Sequence, residues 1–119
     1  MSVTRHNHRI DYIELPAGDT AALGHAKQFY QAVFGWGYQD WGDTYANTQD
    51  SGVETGVSVD AQRRAQPLPV IYAGDLEATL AQVKAHHGTI VRETFAFPGG
   101  RRFHFVDPAG NELAVWSDR

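Results

Sequence analysis

The sequence contains no cysteine. That absence excludes a disulfide framework, a thiolate metal site and a cysteine nucleophile. Long apolar runs are missing too. No stretch approaches the roughly 20 consecutive apolar residues of a membrane-spanning helix. The first residues, Met1-Ser2-Val3-Thr4-Arg5-His6, lack the apolar core of a signal peptide. Basic runs are short, the longest being the pairs Arg63-Arg64 and Arg101-Arg102, and the net charge is −4 with His neutral. This pattern argues against nucleic acid or an anionic membrane as a partner. The expected location is the cytoplasm.

What is present fits one folded domain. The chain has 119 residues, 42% of them apolar and 20% charged. Three Trp, five Tyr and six Phe allow a core to form without staples.

Residues 9–16 alternate: Ile13 and Leu15 fall on one face, Tyr12 and Glu14 on the other. That period of two predicts a strand. Asp19 or Thr20 then caps a helix from about Ala21 to Phe34, with Leu23, Ala26, Phe29, Tyr30, Val33 and Phe34 as its apolar stripe and Gly35 as its stop. Strands are expected at Trp36–Trp41, Thr44–Thr48 and Val53–Val59. Residues 60–68 are polar and read as a connector. The same order then returns: a strand at Pro69–Tyr72, a helix capped by Asp75 from about Leu76 to His87, then strands beginning at Thr89, Arg102 and Glu112. The repeat lies in the element order, since the two halves share little sequence.

Three motifs carry a family resemblance: Tyr12-Ile13-Glu14-Leu15-Pro16, Phe29-Tyr30 with Val33-Phe34-Gly35-Trp36, and Asp107-Pro108-Ala109-Gly110-Asn111 followed by Glu112-Leu113-Ala114-Val115-Trp116. Together they resemble the glyoxalase/bleomycin-resistance/extradiol-dioxygenase superfamily, the vicinal oxygen chelate proteins. The resemblance implies an α+β fold. Two βαβββ modules, about 9–59 and 69–117, would form a curved eight-stranded mixed sheet around a cavity, with helices on the outer face. It also implies a homodimer. Each motif has a plain structural reading as well. The Asp-Pro-x-Gly-Asn run suits a tight turn, and Phe29, Tyr30 and Phe34 are expected to anchor the first helix to the sheet.

Alternation sorts the cavity lining. Tyr12 and Glu14 on the first strand, Arg102 and His104 on the seventh, and Glu112, Ala114 and Trp116 on the eighth face inward, while Phe103 and Phe105 take the helix side. Metal-dependent relatives place His, Gln or Glu at inward positions on four strands. Carried over, those positions are Tyr12, about Leu68 and Ala114, none of them a normal divalent-metal ligand, with Glu54 alone near the fourth. No metal or other cofactor is therefore expected. The alternative is a divalent ion in a non-standard site.

The remaining candidates carry two readings each. Glu14 and Glu112 read as paired carboxylates, one acting as a base, or Glu14 reads as the ion-pair partner of Arg102. His104 reads as a general acid/base or as a hydrogen-bonded wall residue. Trp36, Tyr38 and Trp41 read as a stacking wall for a ligand or as core or dimer contacts. His6 and His8 read as an adventitious metal pair at most. The expected ligand-binding set is Tyr12, Trp41, Arg102, Glu112 and Trp116. The function expected is binding of a small planar or hydrophobic molecule. The alternative is a lyase, isomerase or dioxygenase using Glu14 or His104.

Overall fold

The computed structural model describes residues 5–60 and 65–119. Residues 1–4 and 61–64 lie outside that description, and with them most of the N-terminal hexapeptide, the Arg63-Arg64 pair and part of the expected connector. The elements run β1 (Arg9–Ala17), α1 (Thr20–Phe34), β2 (Gly37–Asp40), β3 (Tyr45–Gln49), β4 (Thr55–Val59), β5 (Leu68–Tyr72), α2 (Leu76–Ala85), β6 (Thr89–Phe97), β7 (Gly100–Val106) and β8 (Glu112–Ser117). The chain divides into two compact units, Tyr12–Leu68 and the chain up to Asp11 together with Pro69–Arg119. Among the described residues no helix is long and apolar enough to cross a membrane.

The unit Tyr12–Leu68 orders its strands β2-β3-β4-β1. β1 and β4 run parallel, with Glu14 opposite Gly56, while β2-β3 and β3-β4 are antiparallel. α1 starts where the Asp19 carboxylate accepts the Ala22 N–H at 2.8 Å. It stops at Gly35, whose φ of +78° a side chain would strain. Leu23 on α1 meets Ala46 and Val57 of the sheet, with Leu15, Ala17, Ala26, Tyr38 and Val59 around them.

One expectation fails here. Phe29 and Phe34 are 57% and 60% exposed, so neither anchors α1 to the sheet. Leu23 and Ala26 make the contact with the sheet, and Phe29, Val33 and Phe34 are left outside it. Phe29, Tyr30, Phe34 and Trp36 pack on one another instead, with Tyr30 and Trp36 stacked at 4.8 Å.

The second unit repeats the arrangement, with order β5-β8-β7-β6, β5 parallel to β8 and the other pairs antiparallel. The two-module α+β organisation thus appears as the same topology twice. Asp75 caps α2 by accepting the Ala78 N–H at 3.0 Å. The helix ends at Ala85, short of the expected His87, because His87 sits at φ +74° and the Gly88 N–H turns back to the Val83 carbonyl. Ala73, Leu76, Phe103 and Val115 form the core, with Ile71, Leu80, Val83, Ile90 and Phe105 packed against it. Replacing Asp19 or Asp75 by Ala is expected to cost about 1 kcal/mol each, read by urea denaturation; Asp→Asn at either cap should recover most of it.

The β7–β8 turn is held by one side chain. Asp107 Oδ1 accepts the Ala109 and Asn111 backbone N–H groups, and Oδ2 accepts the Asn111 side-chain amide. The Asn111 backbone N–H, then its side chain, hold the Asp107 carboxyl below the usual range. Pro108 and Gly110, at φ +94°, complete the tight turn that the Asp-Pro-x-Gly-Asn motif predicts.

Candidate functional site

In the unit Tyr12–Leu68, Leu15 and Ala17 pack toward α1. Tyr12 and Glu14 therefore face the opposite side, as alternation predicts. Strand register puts Gly56, Tyr45 and Asn47 on that same face. A polar chain links two of the expected residues there. Trp41 Nε1 donates to Asn47 Oδ1 at 2.5 Å, and Asn47 Nδ2 donates to the Tyr12 hydroxyl at 2.6 Å. The Tyr12 and Tyr45 hydroxyls also bond each other. This crowding requires Gly56, because a Cβ there would lie 2.7 Å from Tyr45 Cζ and nearer still to both phenol oxygens. Glu14 is 2% exposed. The Trp41 ring itself is 60% exposed. Of the other two proposed stacking residues, Tyr38 packs with the α1 core and Trp36 on Tyr30.

In the other unit, Phe103 and Phe105 take the α2 side and Arg102 and His104 the reverse. His104 is fully buried, and its Nδ1 lies 3.0 Å from Glu112 Oε2. Glu112 can only accept when ionised, so Nδ1 carries the proton and Nε2 the lone pair. Nε2 is buried with no hydrogen-bond partner. Such an atom costs about 1–3 kcal/mol, so its persistence calls for a ligand or solvent role. Burial pushes the His104 pKa down. The Glu112 hydrogen bond and charge oppose that, while the Arg102 and Arg92 charges add to it. At neutral pH His104 is thus a neutral imidazole, held by Glu112 with Nε2 as its acceptor.

Its surroundings are aromatic and cationic. The Phe95 ring centre is 5.9 Å from that of His104. The Arg92 guanidinium lies 3.9 Å from the Phe95 centroid, and Arg102 lies 5.3 Å from Phe95 and 5.9 Å from Phe97. Trp116 is held more tightly. Its Nε1 donates to Asp11 Oδ1 at 2.9 Å, Arg5 covers its ring and Tyr72 meets it edge-on. His8 Nε2 is bonded to the Thr79 hydroxyl, so its ring serves the α2 surface.

Tyr45, Asn47, Gly56, Arg92, Phe95 and Phe97 join the candidate faces without having been singled out from sequence. For Tyr45 and Asn47 the signal was present in the alternation of β3. For Arg92 and Phe95 it was not, because the β6–β7 register shifts between Ile90 and Arg92 and again between Arg92 and Phe95.

Sequence comparison then places the chain. It matches the Glyoxalase/Bleomycin resistance protein/Dioxygenase superfamily over residues 9–115. The chain belongs to this superfamily. Comparison with curated proteins yields no match. Among solved structures, a glyoxalase/bleomycin resistance protein/dioxygenase superfamily member from Vibrio splendidus 12B01 is similar at TM-score 0.66 and 14% identity, covering 89% of this chain and 96% of that one. A Mn(II)-bound glyoxalase from Novosphingobium aromaticivorans gives TM-score 0.64 at 22% identity, covering 98% of this chain and 40% of that one. Methylmalonyl-CoA epimerase from Mycobacterium tuberculosis gives TM-score 0.63 at 15% identity, with 98% and 92% covered. At these identities the likeness is one of fold.

The superfamily's usual divalent metal does not fit the residues at the corresponding positions. Tyr12 spends its hydroxyl on Tyr45 and Asn47. Leu68 and Ala114 are buried and have no donor atom. Glu54 is exposed, just ahead of β4. Among the described residues no three His, Asp or Glu side chains gather as a metal site. A zinc-type structural or catalytic site needs three or more protein ligands.

Proposed function

We propose that this superfamily member binds a small planar or hydrophobic molecule without the usual divalent metal. The observation that carries this reading is the β5–β8 sheet face opposite α2. There Phe95 and Phe97 lie beside Arg92, Arg102, His104 and Glu112. Apolar area with a few converging polar groups is how small-molecule sites are built. Tyr12, Trp41 and Trp116 are the further ligand-contact candidates. The test is thermal shift on untagged protein purified without chelator, together with its metal content. Planar aromatic compounds at about 100 times their Kd should stabilise by about 2.7 kcal/mol, a rise of several degrees. Nickel, zinc, manganese and iron(II) should leave the Tm unchanged. Stoichiometric metal, or a large shift with one ion, would overturn the metal-free reading.

A second reading is favoured by the oriented, neutral His104: an acid/base enzyme of lyase, isomerase or dioxygenase type, with Glu14 as the other candidate base. Glu14→Gln and His104→Gln separate the two readings. An enzyme loses turnover while retaining ligand affinity, whereas a binder has no turnover to lose.

A further inference from the structure

The reading above leaves the chemistry of the ligand open, and the His104 neighbourhood narrows it. The inference rests on that reading and concerns the same sheet face. Glu112 fixes the imidazole from the Nδ1 side at 3.0 Å, so the far nitrogen is an acceptor. That nitrogen is buried and has no partner. An acceptor alone would suit any hydroxyl or N–H donor. The groups around it are more selective. Arg92 is the cross-strand partner of His104 on β6, and Arg102 lies two residues away on the same face of β7. Both guanidinium groups are layered on the Phe95 ring, at 3.9 and 5.3 Å from its centre. Two fixed cations beside a ligand favour a ligand that becomes negative. A ligand packed against the planar guanidinium groups and the Phe95 and Phe97 rings is favoured when it is flat.

We propose that this face takes up planar weak acids, molecules with an ionisable O–H or N–H on a conjugated ring, and holds them as their anions after proton transfer to His104 Nε2. The O–H or N–H bond breaks, its electron pair stays on the ligand, and the Nε2–H bond forms. No other reactant is needed. Glu112 then faces an imidazolium and stabilises it, while Arg92 and Arg102 face the new anion. The charged and titratable groups acting on His104 are Glu112 on β8, Arg102 on its own strand and Arg92 on β6. Burial first, and then the two arginines, disfavour a protonated His104 in the empty protein. An anionic ligand offsets the arginines' part of that effect, so proton transfer and binding reinforce each other.

The probe is 4-nitrophenol, whose anion absorbs in the visible and whose neutral form does not. Nitrobenzene is the control, having the same shape and no acidic proton. With the full chain at pH 6, the expected result is a phenolate band that grows with protein concentration, and at least tenfold tighter binding of 4-nitrophenol than of nitrobenzene. His104→Gln should abolish the band. Arg92→Gln, at a half-buried position that should fold normally, should weaken the band and raise the apparent pKa of the bound phenol. This second variant serves if His104→Gln does not fold. If 4-nitrophenol and nitrobenzene bind equally and no band appears, the weak-acid inference is overturned and the planar-molecule reading stands. If neither binds, that reading fails, and the inference with it. A band that survives His104→Gln in folded protein overturns the assignment of the proton to His104.

Discussion

Replacing Gly100 by Ala is expected to cost about 3 kcal/mol or more and to lower the Tm by roughly 10 °C. Gly100 opens β7 at φ +155°, a conformation that side chains rarely adopt. A Cβ there would lie 2.9 Å from the Ser117 carbonyl carbon and 3.1 Å from Asp118 Cα, and closer again to the Ser117 oxygen. All three atoms are backbone. Ser117 is itself fixed, because it is buried and pairs with Arg101 across the β7–β8 ladder. A side chain can rotate away from a new methyl group; a paired strand has to break register. Two other glycines separate clash from strain. Gly110 has φ +94° with open space around it, so Gly110→Ala should lose about 1 kcal/mol from backbone strain alone. Gly18 has an ordinary φ and open space, so Gly18→Ala should be neutral or slightly stabilising. Urea denaturation of the three variants decides the matter. A Gly100→Ala midpoint within error of the Gly110→Ala midpoint would sink the steric argument.

The same corner shows what the sequence can and cannot reveal. Pro98-Gly99-Gly100 reads as a turn, and a turn is what joins β6 to β7. The requirement for glycine at position 100 comes from residues 117 and 118, which no local pattern announces. The first strand was legible throughout, since Ile13 and Leu15 alternate cleanly with Tyr12 and Glu14. The seventh and eighth were legible for the same reason, and with them His104 and Glu112. β6 was not. Ile90 pairs with Phe105 on the helix side, Arg92 with His104 on the other face, and Phe95 with Arg102 on that same face. Residues two apart thus lie on opposite faces and residues three apart share one, the signature of bulges in the ladder. Period-two counting cannot survive such shifts, so Arg92 and Phe95 could not be placed beside Arg102 and His104 from the sequence. The aromatic motif closing α1 misled for a different reason. Helical spacing shows that Phe29 and Phe34 share a side of the helix, but not whether the sheet covers that side.

His104 gives the second large expectation, a loss of stability on mild acidification. Its pKa in the folded protein is lowered, mainly by burial, with Arg102 and Arg92 contributing and Glu112 opposing. In the unfolded chain the imidazole titrates near 6.5. Below that pH the unfolded state binds a proton that the native state does not, so unfolding becomes easier as pH falls. The contribution of His104 is therefore complete above about pH 6.5. It declines as pH drops toward the folded-state pKa, with a slope that one proton limits to about 1.4 kcal/mol per pH unit. Asp107 and Asp118 have lowered pKa values and act in the same direction, but only in the carboxylate range, where their unfolded forms begin to protonate. The two windows do not overlap, so unfolding free energies at pH 7.5, 6.5 and 5.5 report mainly on the imidazoles. The wild type should lose stability across that series. His104→Gln should show a flatter profile, because it removes the buried titrating ring and leaves the exposed histidines in place. Glu112→Gln should steepen the loss, since it removes the carboxylate that favours the imidazolium in the folded state. If wild type and His104→Gln fall in parallel from pH 7.5 to 5.5, His104 is not a neutral buried base. The reading of Nε2 as an unprotonated acceptor would then have to be abandoned.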